Sequence, residues 1–293
     1  MRSIPSSSRC AWGCSRETGS EVYALARSHA PHQTFVLHAT PVRVLGMLVL
    51  VAVAAWAFAA AGAMSTAIAR AVGAGAAQGA LLAWAVAWAV TRPGRAAETL
   101  PLGIALTALA GAVSAALMPG GAVAYLLAPI WLWRRRSFLP ALGLEGTPSP
   151  RALLGGIGLG GVLGTHLIVT ASLTSGYRIA RPAPVDLGPW LAYDLGANVL
   201  AAECFFRGAV FDRAQRRWSF ATAASLSTVA CVARYLVDPL LPRTLEVMAG
   251  AAFYMTLLSV GNCWLYWRGG SVLPGLAAGC VFFAVYRLLH VVR

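Results

Sequence analysis

Long apolar runs alternate with short polar or arginine-bearing breaks from residue 43 to near the end of the chain. The runs cover about 43–64, 72–91, 101–118, 121–133, 152–174, 187–211, 220–237, 245–267 and 271–289. Most reach the ~20 apolar residues that a helix needs to cross the hydrocarbon core of a bilayer. Backbone polar groups in lipid must be bonded within the segment, and no barrel-like alternation is visible, so the runs predict helices. The expected fold is all-α, a polytopic membrane bundle of eight or nine transmembrane helices. The doubtful member is 121–133, which is short and either stands half-buried or fuses with its predecessor across Pro119-Gly120-Gly121.

Residues 1–40 are mixed and polar, and no apolar core follows the first arginines closely enough for a signal peptide. They read as a flexible cytoplasmic tail ahead of an integral membrane domain at 41–293. Composition agrees: 58% of residues are hydrophobic and 11% charged, against about 25% charged in soluble domains. The net charge of +13 raises nucleic acid as a partner, but the basic residues are scattered between apolar runs, which excludes that class. All 23 basic residues are arginine, which fits a GC-rich bacterial source. If all nine runs cross and the tail is inside, fifteen arginines face the cytoplasm and six the outside. That bias predicts a multi-pass protein of the cell membrane with a cytoplasmic N-terminus.

Within 152–174, the stretch Gly155–Gly164 (GGIGLGGVLG) predicts close helix packing, because small residues let backbones approach in lipid. Cys204, Cys231, Cys263 and Cys280 fall one each in four runs and read as small apolar residues. No metal and no cofactor is expected.

Charged residues inside a span are costly and mark function when a partner can be named. Glu203 and Arg207 are spaced i, i+4 and can pair on one helix face. Asp194 and Asn198 lie two turns and one turn before Ala202 on roughly the same face, as candidate lining of a water-accessible cavity. Arg234, Tyr235 and Asp238 form a second polar cluster. His166 lies ~10 Å from Glu203 in depth by helical rise, so it reads as a polar packing contact.

The run AECFFRGAVFDRAQRRW (Ala202–Trp218) resembles the first motif of the CPBP family, the CAAX-prenyl-protease and bacteriocin-processing intramembrane proteases. YWRGGSVLPGLAAGCVFF (Tyr266–Phe283) resembles that family's third region, and the stretch between them its second, so the likeness covers about 187–293. It implies an intramembrane endopeptidase in which a glutamate activates water, helped by histidines and an asparagine. Matched residue by residue, the catalytic glutamate falls on Ala202, the second glutamate on Glu203 and the arginine on Arg207. The Phe and His of the second motif fall on Cys231 and Tyr235, and the His and Asn of the third on Gly279 and Phe283. Only Glu203 and Arg207 keep their identity. A lost oxyanion donor costs ~10²–10³ in rate and a lost general base ~10²–10⁴.

The expectation is therefore a catalytically impaired member, a pseudoprotease, which binds a transmembrane or lipidated peptide or a membrane protein partner within the lipid bilayer. The alternatives are an active glutamic-type intramembrane endopeptidase using unconventional residues, and a transporter-like bundle with Asp194, Asn198, Glu203 and Arg207 along its pathway.

Overall fold

The computed structural model describes residues 40–89, 93–117, 120–174, 178–179, 183–238, 241 and 244–290. The tail expected at 1–40 lies outside them but for Thr40. The described residues form a helical bundle: α1 Thr40–Ala60, α2 Thr66–Ala89, α3 Pro93–Ala116, α4 Leu127–Arg134 and α5 Pro150–Thr174. There follow α6, one unbroken helical run over 184–215, α7 Phe220–Leu236, α8 Leu245–Gly269 and α9 Leu273–Tyr286. A two-residue antiparallel pairing, β1 Arg178–Ile179 with β2 Leu289–His290, joins the α5–α6 loop to the C-terminal segment.

Helix starts follow local capping chemistry. Ser65 accepts the Ile68 N–H at 3.2 Å, so α2 begins six residues before the run read as 72–91. Ser149 caps α5 in the same way, ahead of Pro150. Ser219 accepts from Thr222 N–H at the start of α7 and Thr244 from Val247 N–H at the start of α8. Each supplies an oxygen to a backbone donor that lacks an intrahelical partner. Gly270, at φ +67°, ends α8 in the left-handed region that glycine adopts without strain.

Four described helices are long and apolar enough to cross a membrane: Val42–Ala60, Thr66–Trp88, Pro150–Thr174 and Leu245–Gly269. Pro101–Ala116, α7 and α9 are apolar but shorter. The segment expected at 121–133 is a tight 3₁₀ stretch, Gly120–Leu126, running into the eight-residue α4. At ~2.0 Å rise per 3₁₀ residue and ~1.5 Å per α residue, the two lengths end to end come to roughly 26 Å.

The outer surface is apolar, as hydrocarbon solvent requires: Leu50, Trp56 and Leu173 are 68%, 71% and 80% exposed. The interior packs small residues and buried polar groups among large apolar side chains such as Phe206, Phe211 and Leu82. On α5, Gly156 and Gly160 lie against the backbone carbonyls of Pro274 and Ala278, and Gly164 against Val285. The glycine run thus seats α5 on α9, as the spacing predicted. A similar seam joins α2 to α3, with Gly75 and Gly79 against the backbone of Thr107 and Gly103.

The helix α6 is not a regular α-helix. Asp194–Asn198 and Glu203–Phe211 are π-helical, separated by one α turn, Val199–Ala202. Wide turns of this kind are rare and concentrate at functional sites. Contacts from other elements accompany each of them. Gly196 presses on the Tyr125 backbone and Gly208 on Leu142 O. The Ser227 hydroxyl on α7 donates to Phe206 O at 2.7 Å.

Candidate functional site

Glu203 and Arg207 stand in the second π stretch and are almost wholly buried, at 3% and 2% exposure. Arg207 Nη1 lies 3.3 Å from Glu203 Oε1, so the pair that the i, i+4 spacing predicted is formed. The same nitrogen points at Cys231 Sγ on α7, 3.4 Å away. Asn262 on α8 donates its amide to Glu203 Oε1 at 2.9 Å and to Gly275 O at 3.2 Å. The other carboxylate oxygen, Oε2, ends against Gly275 at the start of α9, where a Cβ would stand 2.6 Å from it. Glu203 therefore joins α6, α8 and α9, and Arg207 joins α6 to α7.

Beside this pair is a cavity of about 10 Å³, room for about one water molecule. Its walls include Ala202, Glu203, Arg207, Cys231, Tyr235, Gly279 and Phe283. All seven positions matched to the family's motifs converge here from α6, α7 and α9. The remaining wall is apolar apart from Ser259 on α8. The Tyr235 and Phe283 rings lie 5.7 Å apart at 30° and close one side. Gly279 faces Val199, whose Cγ1 would be 2.5 Å from a Cβ added there.

Asp194 and Asn198 are in a different place. They belong to a polar network next to the cavity rather than to its lining. Arg287, just past α9, holds Asp194 at 2.6 Å, with a hydrogen bond to the other oxygen at 2.9 Å. Asn198 donates to Asp194 Oδ1 at 3.2 Å and accepts from Arg234 at 3.2 Å and Tyr235 at 3.4 Å. Arg234 also faces Asp238 at 3.8 Å and stacks over the Tyr235 ring at 4.2 Å. Tyr235 is thus the link between this network and the cavity. His166 on α5 bonds Tyr254 on α8 at 2.8 Å, a packing contact. Among the described residues no three His, Cys, Asp or Glu side chains gather to hold a metal ion.

Asn262 and Arg287 carry weight that the sequence reading did not assign. Ser259 and Asn262, three apart in an otherwise apolar span, form a polar face whose spacing could have pointed to them. Arg287 gave no such signal, because its partner lies 93 residues away.

No curated protein and no solved structure matches the chain. Residues 185–285 match the family described as Type II CAAX prenyl endopeptidase Rce1-like. The match begins at the first turn of α6, ends within α9 and includes all seven cavity positions. The match supports assigning this region to the CPBP family, and with the long apolar helices it supports a CAAX-protease-like helical membrane protein.

Proposed function

We propose that this protein is a catalytically impaired member of the family, a pseudoprotease that acts by binding a transmembrane or lipidated peptide or a membrane protein partner. The observation that carries this reading is the packing at Gly279. Where the family motif has a histidine, even a Cβ would collide with Val199, and a β-branched residue in a helix has one strongly preferred rotamer and cannot swing aside cheaply. The protein has closed over the position instead of leaving it open for a catalytic side chain.

The other positions support the same reading. Ala202 cannot accept a proton from water. Phe283 offers no donor to an oxyanion, and its ring is packed on Tyr235. Glu203 Oε1 is already shared by Arg207 and Asn262. The surviving charges hold helices together, which leaves the family scaffold available for recognition.

The test is cleavage of a prenylated CAAX peptide and of a transmembrane peptide by the purified protein in proteoliposomes, with Glu203→Gln alongside. The expected result is no turnover above that variant for either substrate. Turnover in the wild type that Glu203→Gln abolishes would overturn the proposal and identify an active endopeptidase.

A further inference from the structure

One end of the bundle gathers the finishing turns of α4, α6 and α8 with the starts of α7 and α9. Tyr266 on α8 donates to Asp212 on α6 at 3.1 Å, and Trp267 packs on Phe220 at the start of α7, 5.2 Å between ring centres. Val272 N–H, before α9, bonds Gly143 O in the segment after α4 at 2.9 Å. Arg213 reaches Trp88 O at the end of α2 and lies over the Trp88 ring.

Exposed arginines crowd this end: Arg134 at the end of α4 with Arg135 and Arg136 after it, Arg151 at the start of α5, and Arg268 at the end of α8. Among the described residues none of these five is in an ion pair. The one buried acid at this end, Asp212, is held by Arg216 at 2.6 Å and by Tyr266. Arg136 lies over the exposed Trp133 ring at 5.5 Å, and Arg268 lies between Trp264 and Trp267 at 5.4 and 6.0 Å. At the opposite end Arg287 and Arg234 are bound to Asp194, Asn198 and Asp238, and Arg70 is exposed there without a neighbouring cluster of arginines among the described residues.

We propose that the α4–α6–α8 end is a docking surface for anionic phospholipid headgroups. Arg134, Arg151 and Arg268 sit on the last or first turns of their helices, and Arg135 and Arg136 directly follow α4; helix ends of this kind meet the headgroup level when the apolar spans cross a bilayer. Their guanidinium groups can take two phosphate oxygens at once. The tryptophans beside them prefer the same interfacial level, and their rings hold Arg136 and Arg268 in place. Basic clusters at a membrane surface attract anionic lipid with about fivefold in affinity per charge. A soluble acidic partner fits less well, since Trp133, Trp264 and Trp267 turn exposed rings, 46–61% accessible, outward beside the charges.

The experiment is thermal melting of the purified full chain in mild detergent, titrated with phosphatidylglycerol or phosphatidylcholine. Phosphatidylglycerol should reach half its stabilising effect at a concentration at least tenfold lower than phosphatidylcholine. Arg134→Gln/Arg135→Gln/Arg136→Gln should bring the two midpoints together, and 0.5 M salt should narrow the gap. Arg268→Gln should reduce the ratio about fivefold, which serves if the triple variant folds poorly. Arg70→Gln, at the other end of α2, should leave the ratio unchanged. Equal midpoints for the two lipids in the wild type would overturn the proposal. So would a triple variant that keeps its selectivity, an Arg70→Gln variant that loses it, or full stabilisation by glycerol 3-phosphate without chains.

Discussion

Replacing Arg207 by methionine keeps most of the side-chain volume and removes the charge that faces Glu203. At 3.3 Å between Nη1 and Oε1, two unit charges attract by about 5 kcal/mol at an effective dielectric constant of 20. The carboxylate would keep one hydrogen bond, from Asn262. Breaking one side of a buried pair costs about 3–5 kcal/mol, because the other charge stays behind unpaired. A domain of this size loses roughly 2–4 °C of melting temperature per kcal/mol, so Arg207→Met should melt about 6–20 °C lower. Glu203→Gln leaves Arg207 without its partner and should cost a comparable amount. The double variant removes both charges and should be far less damaged than the sum of the two. The assay is thermal unfolding of all four proteins in one detergent, read as a double-mutant cycle with an expected coupling of at least 2 kcal/mol. Additive effects, with no coupling, would refute the assignment of the pair as a structural clamp.

Other substitutions probe the surrounding packing. Gly275→Ala places a Cβ 2.6 Å from Glu203 Oε2 and should cost about 1–3 kcal/mol by overpacking, seen as a lower melting temperature. Asp194→Asn removes the carboxylate that holds Arg287; Arg287 is half-buried, so the expected cost is about 3 kcal/mol, at the low end for such pairs. Ser219→Ala should lower stability by only about 1 kcal/mol, as the loss of an N-cap does. Hydrogen exchange confined to the first turn of α7 would locate that loss.

The helices were legible because lipid demands long apolar runs, and the runs fell where α1–α3 and α5–α9 stand, to within a few residues at most ends; α3 begins at Pro93, eight residues before the run read from 101, with proline at its first position. The exceptions have local causes. The start of α2 was missed because Ser65 caps it within residues that read as a loop. At 121–133 the chain uses a 3₁₀ stretch, for which glycine-rich sequence gives no periodic signal. The Glu203–Arg207 pair was readable from spacing alone, and the convergence of Cys231, Tyr235, Gly279 and Phe283 came from the family resemblance. The π-helical turns of α6 were not readable. They come with contacts from Tyr125, Leu142 and Ser227, none of them a neighbour in sequence. The placing of Asp194 and Asn198 depended on Arg287 and Arg234 in the same way.

The glycine seam between α5 and α9 reaches further than packing. Gly156 and Gly160 sit directly on the α9 backbone, and α9 carries Gly279 and Phe283 into the cavity wall. The size of that void is therefore governed from outside it, by residues that never touch it. A side chain at Gly160 would push the Ala278 carbonyl away and carry Phe283 off Tyr235. The chamber would widen while every residue around it stayed the same. In this protein the spacing between two helix axes is a control on the interior, and its setting is written in the buried glycines of the seam between them.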